Sequence, residues 1–230
     1  AGTETRARVS VPADLPFALA AAEATVKLKA EASRAQSVNN LRQIALAMHN
    51  YESTYGSFPP AAVVDKTGRP LLSWRVLILP YVEQNVLYGK FKLDEAWDGP
   101  TNKPLLDKMP PIYAMPTPTK AKADETHYQV FVGRGAAFDL LRGPRIADFT
   151  DGTSNTILVA TAATPVPWTK PDDMAFDPNA DMRRVIGFFP DVCHAALADG
   201  SVRTLSRSTS KVTLHGAITR SGGEVLGNDF

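Results

Sequence analysis

The stretch ADFTDGTSN, residues 147–155, gathers oxygen-bearing side chains at near-alternate positions: Asp148, Asp151, Thr153 and Asn155. Hard cations take such ligands, so Asp148, Asp151 and Asn155 form a candidate Ca2+ set. The same residues also suit an Asp-Gly turn whose Asx side chains bond their own backbone, and both readings stand at this stage. Asp199–Gly200–Ser201 poses the same choice, though a two-residue hairpin turn needs that dipeptide on its own account. His49, His127, His194 and His215 are far apart and none has a ligand-spaced partner. There is no G-x-S-x-G, P-loop, H-E-x-x-H or dinucleotide fingerprint, so the sequence points away from an enzyme and from any cofactor beyond that calcium candidate. Cys193 is the one cysteine, which rules out an internal disulfide and a paired-Cys metal site; set among apolar residues, it reads as a buried small side chain. Exposed aromatics would suit glycan stacking or a protein interface. Trp168, in a proline-rich stretch, and Trp97 are the candidates for that role, whereas Trp74 reads as core.

The elements that would hold these residues begin with a long helix. No Gly or Pro interrupts Phe17 to Tyr55, and alanine, the best helix former, is abundant. Asp14 serves as a candidate N-cap, with Gly56 and Pro59–Pro60 as the stop. Leu41, Ile44, Met48, Tyr51 and Tyr55 recur at three-four spacing and form one apolar face. The preceding half, with Glu23, Lys27, Lys29, Glu31 and Arg34 among alanines, has only a thin stripe through Leu19, Val26 and Ala30. That half either protrudes to meet a partner or lies on its own domain. Residues 1–13 read as an extended arm. The organisation expected is an arm and protruding half-helix over residues 1–35, then a globular domain over 36–230.

Beyond the helix, LLSWRVLILPYVEQNVLYGKF reads as a helix kinked or restarted at Pro80, with a strand from Ser73 to Leu79 as the alternative. WDGPTNKPLLDKM reads as a turn and a short helix, and THYQVFVG as a strand. RIADFTDGTSNTILVATA reads as two strands about Asp-Gly, and CHAALADGSVRTLS as a hairpin. SKVTLHGAIT reads as a closing helix with Ser208 or Ser210 near its cap, and TPVPWTKPDDMAFDPNADM as an irregular surface excursion. Strands grouped after helices argue for an α+β fold with an antiparallel sheet.

The bulk numbers fit. A chain of 230 residues that is 44% hydrophobic can bury a real core. A net charge of +1 with no long basic run argues against nucleic acid as a partner. No segment has the roughly 20 apolar residues that a spanning helix needs, and no secretory leader is visible in this chain.

Six ordered motifs resemble a large paralogous family of planctomycete proteins: NNLRQIALAMHNYESTYGSFPP, the LLSWRVLILPYVEQ segment through DKMP, YQVFVGRG, RIADFTDGTSNTILVATA, VPWTKPDD and AALADGSVRTLS with its Asp-Gly-Ser signature. That family's domain has no assigned function and is sometimes labelled solute-binding; many members begin with a type IV pilin-like N-terminus. The resemblance implies a pilin- or pseudopilin-like α+β shape, a long N-terminal helix packed on an antiparallel sheet. It implies a non-enzymatic assembly subunit of the cell envelope, periplasmic or extracellular, with other protein chains as partners in a homo-oligomer or larger complex. A solute- or glycan-binding module using the aromatic loops is the alternative. The chain departs from the family in lacking the Gly-Phe-Thr-Leu-Ile-Glu processing site. Phe189 stands where relatives carry His, Thr161 where they carry Glu, and Ser37 and Met115 where typical relatives carry Cys. Those last two positions imply that the relatives tie helix to loop by a disulfide that this chain lacks.

Overall fold

A computed structural model describes residues 15–116, 121–187, 189 and 192–230, with side chains from residue 20 onward. The expected arm, the Asp14 cap and the Leu19 side chain lie outside the described residues. Helix α1 runs Leu15–Tyr55, 41 residues, or roughly 60 Å at the usual rise. It ends where Gly56 adopts φ +76° and donates its amide to the Glu52 carbonyl at 2.7 Å. That left-handed conformation is open to glycine at little cost, which is why the helix stops there.

The main sheet is antiparallel throughout, in the order β3-β5-β7-β8: β3 Glu125–Gln129, β5 Ile157–Pro167, β7 Val192–Leu197 and β8 Val202–Ser206. The C-terminal half of α1 covers one face. Leu41, Ile44 and Met48 are fully buried there in a cluster with Tyr128, Val159 and Ala196. Alternation along the strands sends Cys193, Ala195 and Leu197 to the opposite face, where α4 (Lys211–Ile218) covers them with Leu214, Ala217 and Ile218. The molecule is thus helix, sheet and helix in three layers, an α+β fold with a long N-terminal helix on an antiparallel sheet. Of Ser208 and Ser210, it is Ser210 that caps α4, accepting from the Thr213 amide.

Small elements fill the rest. Strands β1 (Ala62–Val64) and β2 (Pro70–Ser73) pair antiparallel, and β4 (Phe131–Val132) pairs parallel with β6 (Met174–Ala175). The segment expected as one kinked helix is instead β2, then α2 (Trp74–Leu77), a 3-10 turn at Leu79–Val82 and α3 (Asn85–Tyr88). Pro80 starts the 3-10 turn, and Glu83 breaks the run in the left-handed region at φ +62°. The expected strand before Asp151–Gly152 is a 3-10 turn at Ile146–Asp148. There Asp148 accepts from the Arg145 amide and its guanidinium, a local closure that competes with extended pairing.

The proline-rich stretch is a surface excursion only in part: residues 172, 175 and 177–179 are exposed, but its tryptophan is not. Trp168 is fully buried, stacked on Tyr113 at 5.8 Å and edge-on to Phe91, with its indole N–H donating to the Leu106 carbonyl. The chain re-enters the core there because a large apolar ring with one satisfied donor gains more from burial than the prolines lose.

Candidate functional site

Three places can do something beyond folding: the free half of α1, a buried ion pair beneath the sheet edge, and a polar cleft beside the aspartate turn.

From residue 20 to 32 every α1 side chain except Ala30 is exposed, Val26 and Leu28 among them at about two-thirds exposure. Burial begins at Ser33, Arg34 and Ser37. The stripe Val26, Ala30, Ser33, Ser37, Leu41, Ile44 and Met48 follows three-four spacing, so the face that packs on the body continues, with smaller side chains, into the free segment. Where α1 meets the body, polar bonds fix its register. Ser33 donates to the Pro116 carbonyl at 3.4 Å, Asn40 donates to the Ala114 carbonyl at 3.2 Å, and Tyr128 donates its hydroxyl to Ser37. Ser37 therefore lies on the helix between residues bonded to either side of Met115, the two positions at which the resemblance places cysteines.

The buried pair joins Arg75 and Asp173, 98 residues apart in sequence, at 2.6 Å with both side chains out of water. Arg75 also donates to the Tyr128 carbonyl and to Ser73. Asp173 Oδ1 accepts from Arg75, from the Trp74 indole and from the Val130 amide, while Oδ2 has no partner among the described residues. Burial pushes the Asp173 carboxyl up, against the pull of Arg75 and of the hydrogen bonds. No spacing rule joins Arg75 and Asp173, and sequence reasoning missed the pair.

The aspartate turn is closed by N–H donors. Asp151 accepts from the Gly222 and Gly223 amides at 2.6 and 3.0 Å, Asp148 is held by Arg145, and Asn155 donates back to the Asp151 carbonyl. Gly152 sits at φ +101°, as the Asp-Gly turn requires. Lone pairs that a cation would need thus meet amides and a guanidinium, the arrangement of the turn reading. Among the described residues no group of three or more His, Cys, Asp or Glu is placed to hold a metal ion.

Beside this turn a cleft of about 850 Å3 opens between the end of α1, residues 139–150 and Arg220–Ser221. Tyr55, about two-thirds exposed, forms its rim and packs on Tyr51, which in turn meets Tyr81 edge-on. Burial, then the neighbouring tyrosines, push the Tyr51 hydroxyl up to about 12. Of the aromatics expected to be available, Trp168 is buried and cannot stack on a ligand; Trp97 is half-buried with Lys170 over its ring.

Cys193 is fully buried, and burial pushes its thiol up to about 11 despite the Thr161 hydroxyl that donates to it. It is an inert core residue. His127 and His194 are buried as well. His127 donates Nδ1–H to the Ala162 carbonyl at 2.7 Å and packs against Phe189. Burial lowers the pKa of both rings, aided at His194 by Arg34. Below about 6.5 the unfolded chain takes up protons that the folded rings refuse, so their stability contribution is full above that pH and is lost on acidification through the lowered folded values. Urea midpoints are expected to fall from pH 7.5 to pH 5.5, and to fall less steeply in the His127→Gln/His194→Gln protein. Equal slopes in the two proteins would show that these rings do not carry the effect.

No curated protein and no solved structure matches the chain. Among the described residues no helix is long and apolar enough to cross a membrane. Residues 27–138, from the free half of α1 through β4 and the turn after it, match the family model described as "Protein of unknown function (DUF1559)", and that stretch is similar to a domain-of-unknown-function family.

Proposed function

We propose that this chain is a non-enzymatic, pseudopilin-like assembly subunit of the cell envelope, acting in the periplasm or outside the cell. Its body packs the C-terminal half of α1, and the free half of α1 docks on other protein chains, copies of itself foremost. The observation that carries this reading is the continuity of the α1 stripe: the face buried against the sheet runs on through Ser33, Ala30 and Val26 into a segment that the chain's own body leaves open. An isolated helix of this length is marginal in water, because helices in proteins are stabilised mainly by packing. Lipid is a poor cover. Glu23, Lys27, Lys29 and Glu31 would each cost about 2.5–3.5 kcal/mol or more in hydrocarbon. A second protein helix is a better one, since the small residues of the stripe allow close approach and the charges of both signs at its flanks can pair.

Hydrogen exchange tests the reading. In a proven monomer the amides from residue 20 to 32 are expected to exchange nearly as fast as an unstructured peptide, while those from Leu41 to Met48 are strongly protected. On concentration into the assembled form, residues 20–32 are expected to gain protection. Strong protection of residues 20–32 in the monomer would contradict the docking role.

A further inference from the structure

The cleft beside the aspartate turn has a lining that specifies a ligand class. It contains three arginines and two aspartates. Arg220 is spent on Asp139 at 3.0 Å and on the carbonyls of Ala136 and Ala137; Arg145 is spent on Asp148 at 3.2 Å. Arg142 lines the same cleft, is exposed, and makes no hydrogen bond or ion pair with any described residue. The wall therefore offers one uncompensated guanidinium flanked by two fixed Arg–Asp pairs. Ser57, Ser221 and the exposed Tyr55 line it as well.

We propose that this cleft binds an acidic saccharide, a polyhydroxylated ring bearing one carboxylate per sugar, of the uronic-acid kind. A guanidinium fork pairs bidentately with a carboxylate, which gives Arg142 its role. The Arg–Asp pairs present donors and acceptors side by side, as vicinal sugar hydroxyls require, and Tyr55 offers an aromatic face to the ring's C–H groups. An acidic peptide would call for apolar side-chain pockets, and most of this lining is polar. The proposal places glycan recognition at Tyr55 and Arg142 instead of the buried Trp168. It does not rest on the assembly reading.

Calorimetric titration of the full chain with trigalacturonic acid tests it, with maltotriose as the neutral saccharide and triglutamate as the acidic peptide. Trigalacturonic acid is expected to bind and maltotriose to bind far more weakly. Arg142→Gln is expected to weaken trigalacturonate about tenfold or more, the scale of one charge-assisted bidentate contact. Tyr55→Ala is expected to weaken it several-fold. Arg142 is exposed, so Arg142→Gln should keep the parent melting curve, while Tyr55→Ala, which loses the ring contact with Tyr51, should lower it only slightly. Absence of trigalacturonate binding at millimolar concentration would overturn the proposal. So would equal affinity in the Arg142→Gln protein, or triglutamate binding as tightly as the saccharide.

Discussion

Ile44→Asp is expected to unfold the domain. Ile44 is fully buried on the α1 face that fills the sheet, between Leu41 and Met48. An aspartate there would have no cation within the cluster, and an uncompensated buried charge costs about 3–5 kcal/mol on the scale of broken buried pairs. A domain holds only about 5–15 kcal/mol in total, so the loss is a large share of it. Ile44→Val, which removes one methylene, is expected to cost about 0.5–1.5 kcal/mol and leave the fold intact. Urea denaturation of both variants separates charge from volume. An Ile44→Asp protein that melted like the parent would contradict the packing of α1 on the sheet.

Asp173→Ala is expected to be nearly as damaging, for a different reason. It leaves the Arg75 guanidinium fully buried without a counter-charge and strips an acceptor from the Trp74 indole and the Val130 amide. Breaking a buried pair on one side costs about 3–5 kcal/mol, whereas replacing both partners with apolar residues of similar volume is often close to neutral. The Arg75→Met/Asp173→Leu protein is therefore expected to be more stable than Asp173→Ala, despite carrying two changes. Denaturation midpoints for Arg75→Met, Asp173→Leu and the double variant, each against the parent, give the coupling directly. A double variant as unstable as the sum of the singles would show that the pair is not a coupled unit.

Features governed by neighbours in sequence were legible from it. The end of α1 at Gly56, the hairpin at Asp199–Gly200 and the Ser210 cap of α4 each depend on a local signal, and each is present. The apolar face of Leu41, Ile44 and Met48 was legible from its period alone. Where two local signals compete, the reading went astray. Arg145 and Asp148 close a 3-10 turn where alternation suggested a strand, and Glu83 with Pro80 splits a helical pattern into pieces. Long-range contacts were not legible. Trp168 finds its acceptor at Leu106, 62 residues away, and Arg75 finds Asp173 across 98. Nothing in a proline-rich stretch announces that its tryptophan and aspartate will be the buried ones. Of the candidate sites, the aspartate turn has turn geometry, and Val26 is exposed, where the sequence left open whether that half of the helix protrudes or lies on its own domain. The arginine cleft escaped notice because residues 139–150, Arg220 and the end of α1 meet only in three dimensions.

The central claim is that the free half of α1 docks on other copies of the chain, and solution mass tests it most directly. Light scattering across a concentration series is expected to show the full chain rising above the mass of one copy, 24.8 kDa. Val26→Glu, which places a charge in the exposed stripe, is expected to return the protein to the single-copy mass without lowering its melting temperature. A full-length protein that stays at the single-copy mass throughout the series, or a Val26→Glu protein that associates as the parent does, would contradict the account.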